Sequence, residues 1–258
     1  MSRLQMNAKA ACKRLDILLV ERGLAESRQK AQAMILAGEV EIDGKRADKA
    51  GTGTPESAII EVHSRLQKYA SRGGFKLEGA MEDFHVSSAG KVCLDVGASN
   101  GGFTDCLLQN GAVRVYAVDV NTDQLAWKLR EDNRVISVKK NARELSAADL
   151  PESVDLVVAD VSFIAVKKVL PGTLQCAKPA AEFLILIKPQ FELDRGEVGK
   201  GGIVREAELR QKAVDSVRHA VTSLGLTCLG VLPSKLMGVE GNQEYFLHAR
   251  KICAIESR

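Results

Sequence analysis

The amino-acid sequence contains no apolar run long enough to cross a lipid bilayer. Its longest apolar run lies near Phe183–Ile187, whereas a transmembrane helix needs about 20 apolar residues. The N-terminus also lacks the apolar segment of a secretion signal. The six cysteines include no C-x-x-C pair, which argues against both a zinc site and a disulfide framework. We therefore expect a cytoplasmic protein with reduced thiols that needs neither a membrane nor a metal ion.

Positive charge is in small surplus, and the surplus lies at one end of the chain. The net charge is +3. Residues 1–75 carry 13 Lys/Arg against nine Asp/Glu, whereas the remaining residues carry 23 against 24. A basic N-terminal part joined to a neutral remainder is typical of a protein that grips a polyanion. An ordinary solvated surface would show the same surplus, so charge alone leaves both interpretations open.

Residues 13–63 show the pattern of a small domain of helices and strands. Apolar residues at helical spacing predict one short helix from Arg14 and a second helix capped by Ser27. Alternating residues predict strands at Glu39–Ile42 and Ser57–Val62. These elements predict a compact α+β module with a small core.

Residues 64–74 are basic and end in paired glycines, which predicts a linker, and residues 75–252 then alternate strands with helices. Seven strands are predicted, at Val92–Val96, Val113–Val118, Val135–Val138, Val154–Ala159, Phe183–Ile187, Thr227–Leu232 and Tyr245–His248. After a leading helix from Phe75, four helices are predicted, at Gly102–Gln109, Asp123–Leu129, Phe163–Leu174 and Glu206–Leu224. Alternation with continuous apolar strands predicts an α/β domain with a mostly parallel sheet. The short connection between the last two strands predicts that they pair antiparallel.

A glycine-rich turn follows the first strand of this sheet, in the segment LDVGASNGGFT that starts at Leu94. Glycine lets the backbone approach a ligand closely, and the helix after the turn offers free N–H groups to an anion. The second strand ends at Asp119, which is placed to accept hydrogen bonds from the ribose of a nucleoside. The spacing is not the G-x-G-x-x-G of NAD enzymes, and a tight turn without a ligand is the alternative. The segments around the turn and the second strand supply these candidate cofactor-binding residues: Asp95, Gly97, Ala98, Ser99, Gly101, Gly102, Phe103, Asp119 and Val120.

Two opposite charges end adjacent predicted strands. Asp160 follows the fourth strand and Lys188 follows the fifth. Open α/β sheets bind ligands at the carboxyl ends of their strands, so we expect both side chains to take part in function. Lys76 at the start of the leading helix and Glu244 at the start of the last strand are ambiguous by themselves, because each could be an ordinary surface charge.

Six motifs together resemble the hemolysin-A-type (TlyA) family of rRNA 2′-O-methyltransferases, whose catalytic domain is FtsJ-like. They are SRGGFKL, LDVGASNGGFTD, DLVVADVSFI, IKPQFE, GEVGKGGIV and GNQEYF, and the similarity runs from Arg14 to about Arg250. The resemblance implies a Rossmann-like S-adenosylmethionine methyltransferase sheet at residues 75–252. It also implies, at residues 13–63, an RNA-binding domain similar to that of ribosomal small-subunit protein S-four.

The resemblance also assigns residues. FtsJ-like enzymes carry a Lys-Asp-Lys-Glu tetrad, and the matching positions are Lys76, Asp160, Lys188 and Glu244. The family implies that the glycine turn lines the methionine part of S-adenosylmethionine, that Asp119 binds its ribose, and that Asn141 and Ala142 face its adenine; Asp160 also borders this site. The positions implied to contact RNA are Arg14, Ser27, Arg28, Lys30, Lys45, Arg72 and Lys200.

The expected reaction is methyl transfer to a ribose 2′-hydroxyl, by resemblance on a cytidine of large-subunit rRNA, with ribosomal RNA or ribosomal subunits as partners. The reaction mainly needs alignment and the removal of one proton. We expect Lys188 to act as the base and Lys76 to position the hydroxyl or a phosphate. The loop Gly196–Gly202 is predicted to close over RNA through Lys200, with a plain surface loop as the alternative.

Three other functions remain open on the sequence. The first is a methyltransferase of small molecules, against which the basic N-terminal part argues. The second is a non-catalytic, translation-associated RNA-binding protein, which the complete tetrad disfavours. The third is a pore-forming hemolysin, as the family name suggests, although no amphipathic or membrane-spanning segment supports it.

Overall fold

The structure is a computed structural model that describes residues 12–25, 27–62, 68–238 and 241–252, with Lys200 described by its backbone only. The chain forms two compact units, Met1–Lys68 and Tyr69–Arg258. Of the predicted linker, residues 64–67 lie outside the described residues. Tyr69 is fully buried in the second unit and packs edge-on against Phe75.

Within its described residues, the first unit contains two helices and five short strands. The helices are α1 (Leu15–Glu21) and α2 (Arg28–Leu36). The strands are β1 (Cys12–Arg14), β2 (Val40–Ile42), β3 (Lys45–Arg46), β4 (Gly53–Pro55) and β5 (Ile60–Val62). β1 pairs with β4, and a second sheet has the order β3-β2-β5, all antiparallel. The small predicted core forms as expected, around Leu15, Leu19, Ile35 and Val40.

The second unit contains a seven-stranded sheet with helices. Its strands are β6 (Val92–Val96), β7 (Arg114–Asp119), β8 (Val135–Lys139), β9 (Val154–Ala159), β10 (Ala177–Ile187), β11 (Leu226–Pro233) and β12 (Tyr245–Lys251). Its α-helices are α3 (Gly73–Phe84), α4 (Gly102–Gln109), α5 (Trp127–Arg130), α6 (Leu170–Cys176), α7 (Pro189–Glu192) and α8 (Ala207–Ser223).

The sheet has the strand order β11-β12-β10-β9-β6-β7-β8. Strands β6 to β10 are parallel to their neighbours in this set, whereas β12 is antiparallel to both β10 and β11. Two buried clusters cover its two faces. This arrangement confirms the predicted Rossmann-like α/β class with an antiparallel last strand. It also brings the carboxyl ends of β6, β7, β9 and β10 to one edge.

Two predicted helices are wrong in their extent. The helix predicted at Asp123–Leu129 is a 3-10 turn followed by the short α5, because the intervening backbone is extended where the Ala126 N–H donates to the Asn100 carbonyl. The segment predicted as a helix from Phe163 starts with a positive φ of 64° at Phe163, which no α-helix contains, and continues as a 3-10 turn at Val166–Lys168, so α6 begins only at Leu170. In both places a tertiary contact or local turn overrides helical periodicity.

The five described cysteines are free thiols. Among the described residues no helix has the length and apolar character needed to span a membrane.

Candidate active site

The glycine-rich turn between β6 and α4 forms a tight backbone cradle. Gly97 has a φ of +86°, and a Cβ added there would lie 2.4 Å from the Asp160 carbonyl oxygen. Only glycine therefore lets this turn approach the end of β9 so closely. Gly101 also has a positive φ, but an added Cβ would lie 2.2 Å from the Leu129 side chain. The absence of a side chain at Gly101 therefore lets α5 pack closely against the turn.

Asp119 at the end of β7 ties this cradle to the next turn. Its Oδ2 accepts a hydrogen bond from the Ser99 N–H, and its Oδ1 accepts one from the Asn121 N–H, each at 3.0 Å. A carboxylate oxygen has more than one acceptor site. The same two oxygens can therefore also accept hydrogen bonds from a pair of ligand hydroxyls.

A cleft of about 360 Å³ opens beside Asp119, and we call it the Asp119 cleft. Its lining includes seven of the predicted cofactor-binding residues: Gly97, Ser99, Asp119, Val120, Asn141, Ala142 and Asp160. The floor and walls are otherwise mostly apolar, with Val118, Val161, Ile164 and Val169. Concave apolar walls with a few convergent polar groups are typical of small-molecule sites.

A second cleft of about 420 Å³ adjoins the first, and we call it the lysine cleft. All four predicted tetrad residues line it: Lys76, Asp160, Lys188 and Glu244. The two clefts share five residues: Gly97, Ser99, Asp160, Ser162 and Phe163. A group bound in one cleft can therefore be reached from the other, next to Asp160.

The tetrad consists of two lysine–carboxylate pairs with different surroundings. Lys76 Nζ lies 2.5 Å from Glu244 Oε2, and the two side chains are only 8% and 3% exposed. Lys188 Nζ lies 2.5 Å from Asp160 Oδ1 and donates a 2.8 Å hydrogen bond to Ser162 Oγ. Gly238 leaves room for Glu244, since an added Cβ would lie 2.7 Å from Glu244 Oε1. The Lys76–Glu244 pair is thus enclosed, whereas the Lys188–Asp160 pair lies at the junction of the clefts.

Two predicted cofactor-binding residues line neither cleft. Gly101 packs against α5, and Asp95 is fully buried at the end of β6, where it accepts a 2.7 Å hydrogen bond from the Thr104 hydroxyl. Burial raises the pKa of the Asp95 carboxyl to about 7, despite that hydrogen bond. The remaining candidates of the turn, Ala98, Gly102 and Phe103, line the lysine cleft.

Sequence reasoning did not single out an aromatic pair at the mouth of the clefts. Phe163 is 93% exposed, lines both clefts and lies 5.4 Å from Phe191, measured between ring centroids. Ser162 and Gln190 were missed as well and line the lysine cleft. The available signal was their position in DVSF and KPQF, directly after the two charged strand ends.

The predicted RNA-contacting residues lie at several places. In the first unit, Arg14 and Arg28 both pair with Asp16, Ser27 Oγ accepts from the Lys30 N–H as the cap of α2, and Lys45 is exposed. In the second unit, Arg72 lines the lysine cleft and donates to the Met237 carbonyl. The Lys200 side chain lies outside the described residues.

The predicted closing loop at Gly196–Gly202 is tied down at its C-terminal end. Asn242 is buried; its Nδ2 donates to the Gly202 carbonyl and its Oδ1 accepts from the Val204 N–H, each at 2.8 Å. Within the described residues, no group of three or more His, Cys, Asp or Glu side chains is arranged to hold a metal ion.

Comparisons with known proteins match both units. A family model described as FtsJ-like methyltransferase matches residues 69–251, and one described as S4 domain matches residues 13–53. The chain is 46% identical over 239 residues to the 16S/23S rRNA (cytidine-2′-O)-methyltransferase TlyA of Mycobacterium tuberculosis, covering 92% of this chain and 89% of the relative. It is 41% identical to Hemolysin A of Brachyspira hyodysenteriae, covering 91% of this chain and 98% of the relative. A solved structure described as "Putative hemolysin from Streptococcus thermophilus" has a TM-score of 0.74 at 36% identity, covering 96% of this chain and 93% of that one.

Proposed function

Because the chain belongs to the hemolysin-A-type (TlyA) family with its FtsJ-like methyltransferase domain, we propose that it methylates ribosomal RNA. The proposed reaction moves a methyl group from S-adenosylmethionine to the 2′-hydroxyl of a cytidine ribose, in large-subunit rRNA. The observation that carries this proposal is the meeting of Lys76, Asp160, Lys188 and Glu244 in a cleft continuous with the Asp119 cleft.

S-adenosylmethionine fits the residues of the Asp119 cleft. The Asp119 carboxylate suits the two ribose hydroxyls, Asn141 and Ala142 suit the adenine, and the Gly97 cradle leaves no side chain in the way of a close ligand. The cleft's volume lies in the range typical of small-molecule sites. When bound, this cofactor supplies a methyl group already activated by its sulfonium.

The chain's own residues then have to align the hydroxyl and take its proton. We assign the proton to the Nζ of Lys188 in its neutral amine form, because the Lys188–Asp160 pair lies where the two clefts join. Asp160 stabilises the ammonium that forms, and Ser162 fixes the direction of the amine. The Lys76–Glu244 pair, enclosed on the other side of the lysine cleft, positions the hydroxyl or the neighbouring phosphate.

Two further parts of the chain supply affinity for RNA. The Phe163–Phe191 pair presents an exposed aromatic surface at the cleft mouth, which suits stacking of an unpaired base. In the S4 domain, Arg14, Arg28, Lys30 and Lys45 present positive charge for phosphates. Ser27, Arg72 and Lys200 are proposed to assist.

The test is methylation of a defined substrate. The purified protein is incubated with S-adenosylmethionine carrying an isotopically labelled methyl and with large ribosomal subunits from a strain that lacks the gene. Mass spectrometry of the digested RNA should then find labelled 2′-O-methylcytidine. Label on a base rather than a ribose, or no label in RNA at all, would contradict the proposal; matched small subunits show whether the substrate is restricted to the large one.

A further inference from the structure

One carboxylate of the first unit is buried beside two arginines. Asp16, the second residue of α1, is completely buried, although it lies between two arginines whose side chains are about half exposed. A buried carboxylate is costly unless it is paired and hydrogen-bonded, and a negative charge opposes binding of a polyanion. Contacts of Asp16 must therefore offset these two costs.

Four side-chain hydrogen bonds converge on Asp16. Arg14 donates from Nε to Oδ1 and from Nη2 to Oδ2, each at 3.0 Å, in the planar two-pronged geometry of a guanidinium–carboxylate pair. Arg28 donates from Nε to Oδ2 at 2.9 Å, and Gln32 donates from Nε2 to the same oxygen at 2.8 Å. These hydrogen bonds, that of Arg14 above all, hold the pKa of the Asp16 carboxyl far below its usual range. The acid is therefore ionised whenever RNA can bind.

The network joins two elements of the first unit. Asp16 belongs to α1, while Arg28 and Gln32 lie one turn apart on the same face of α2. Among the described residues, Arg28 contacts Asp16 through Nε, and the Arg28 side chain is 55% exposed. The buried acid thus holds two arginines whose side chains remain about half exposed.

We propose that Asp16 is a positioning residue for RNA binding: it locks Arg14 and Arg28 in the orientation that meets RNA phosphates. This inference rests on the proposed function, since it assumes that the S4 domain binds ribosomal RNA. Immobilising a long side chain on binding costs conformational entropy, and arginines already held in place avoid that cost. A guanidinium held in one orientation also meets a phosphate with a defined hydrogen-bond geometry, which a mobile cation lacks.

The proposal predicts an effect opposite in sign to simple electrostatics. Asp16→Asn raises the net charge by one, so a purely electrostatic surface would bind RNA more tightly. Loss of the lock should instead weaken binding roughly tenfold. Asp48→Asn is the matched control, because Asp48 is exposed, lies in the same unit and makes no side-chain hydrogen bond or ion pair within the described residues; it should bind as tightly as the wild type or slightly more tightly.

The experiment measures binding of the full-length chain to purified large ribosomal subunits over a series of salt concentrations. Asp16→Asn should also show a shallower salt dependence, because fewer phosphates are contacted. If Asp16 only stabilised the fold, Asp16→Asn would lower the melting temperature. The protein that remains folded would then show the same dependence of RNA binding on salt as the wild type. Binding by Asp16→Asn as tight as that of Asp48→Asn would overturn the inference.

A second variant decides the matter if Asp16→Asn does not fold. Arg28→Lys keeps the charge at a half-exposed position but loses the planar fork, and we expect about threefold weaker binding. If Arg28→Lys bound ribosomal subunits as tightly as the wild type, the proposed positioning of Arg28 by Asp16 would be contradicted. If the wild-type protein itself fails to bind subunits, the proposed function fails; if it binds and these variants match it, only this inference fails.

Discussion

Asp160 and Lys188 end two adjacent parallel strands, and their charged groups meet at 2.5 Å where the two clefts join. The pairing of β9 with β10 brings the ends of these strands side by side at one edge of the sheet. The acid therefore touches the cleft proposed for the cofactor, while its lysine partner faces the cleft proposed for the ribose. This relation underlies the assignment of the proton to Lys188.

Replacing Lys188 tests that assignment directly. Lys188→Ala should lower methyl transfer to ribosomal subunits by about 10²-fold or more, because no other described group takes its place beside Asp160. Affinity for S-adenosylmethionine, measured by calorimetry, should stay nearly unchanged. Lys178→Ala at the opposite end of β10 is the control and should keep its activity, since among the described residues Lys178 pairs only with Asp155. Retained activity of Lys188→Ala would remove this lysine from the mechanism.

The enclosed Lys76–Glu244 pair should affect the free energy of unfolding. Glu244→Ala leaves the Lys76 ammonium buried without its partner, so the free energy of unfolding should fall by about 3 kcal/mol. The double variant Lys76→Met with Glu244→Met should recover most of that loss and remain inactive. Urea unfolding and methyl transfer, measured on the same samples, separate these two effects. A double variant as unstable as Glu244→Ala would contradict the account of an unpaired buried charge.

Phe163 should matter for RNA and not for folding. Its side chain is 93% exposed, so Phe163→Ala should leave the melting temperature unchanged. Loss of base stacking should lower kcat/KM for ribosomal subunits about tenfold. Trp127→Ala is the control, because Trp127 is also largely exposed but lines neither cleft. Equal effects of the two changes would count against a specific stacking role for Phe163.

Glu192 should make stability depend on pH. Burial raises the pKa of its carboxyl from the ordinary 4.5 to about 7, even though Oε1 accepts a hydrogen bond from the Val166 N–H. Folding therefore favours the protonated acid, whose contribution is fully present below about pH 4.5 and is lost as the pH rises through 7. Relative to the wild type, Glu192→Gln should gain roughly 3 kcal/mol in unfolding free energy between pH 4.5 and pH 8. The exposed Glu144→Gln should show no such trend in the same urea titrations.

Much of the fold followed from periodicity in the sequence. The bounds of α4 and β9 agree with those predicted, because a turn or a charge marks each end of these apolar segments. The segments Asp123–Leu129 and Phe163–Leu174 show the same helical spacing, but the helices predicted there were wrong in extent. The spacing of apolar residues does not encode the Ala126–Asn100 hydrogen bond or the positive φ of Phe163.

The sequence by itself determined the strand-end positions of Asp119, Asp160 and Lys188, since a charge after an apolar strand is visible in the amino-acid order. Only the tertiary structure decided which charges meet. Lys76 and Glu244 are 168 positions apart, and they form a buried pair because α3 packs on the sheet that contains β12, which Glu244 directly precedes. Tertiary packing likewise separated Asp95 and Gly101 from the clefts and left Phe163 exposed at their mouth. Spacing along the chain places a residue on an element, but partners and exposure depend on how the elements pack.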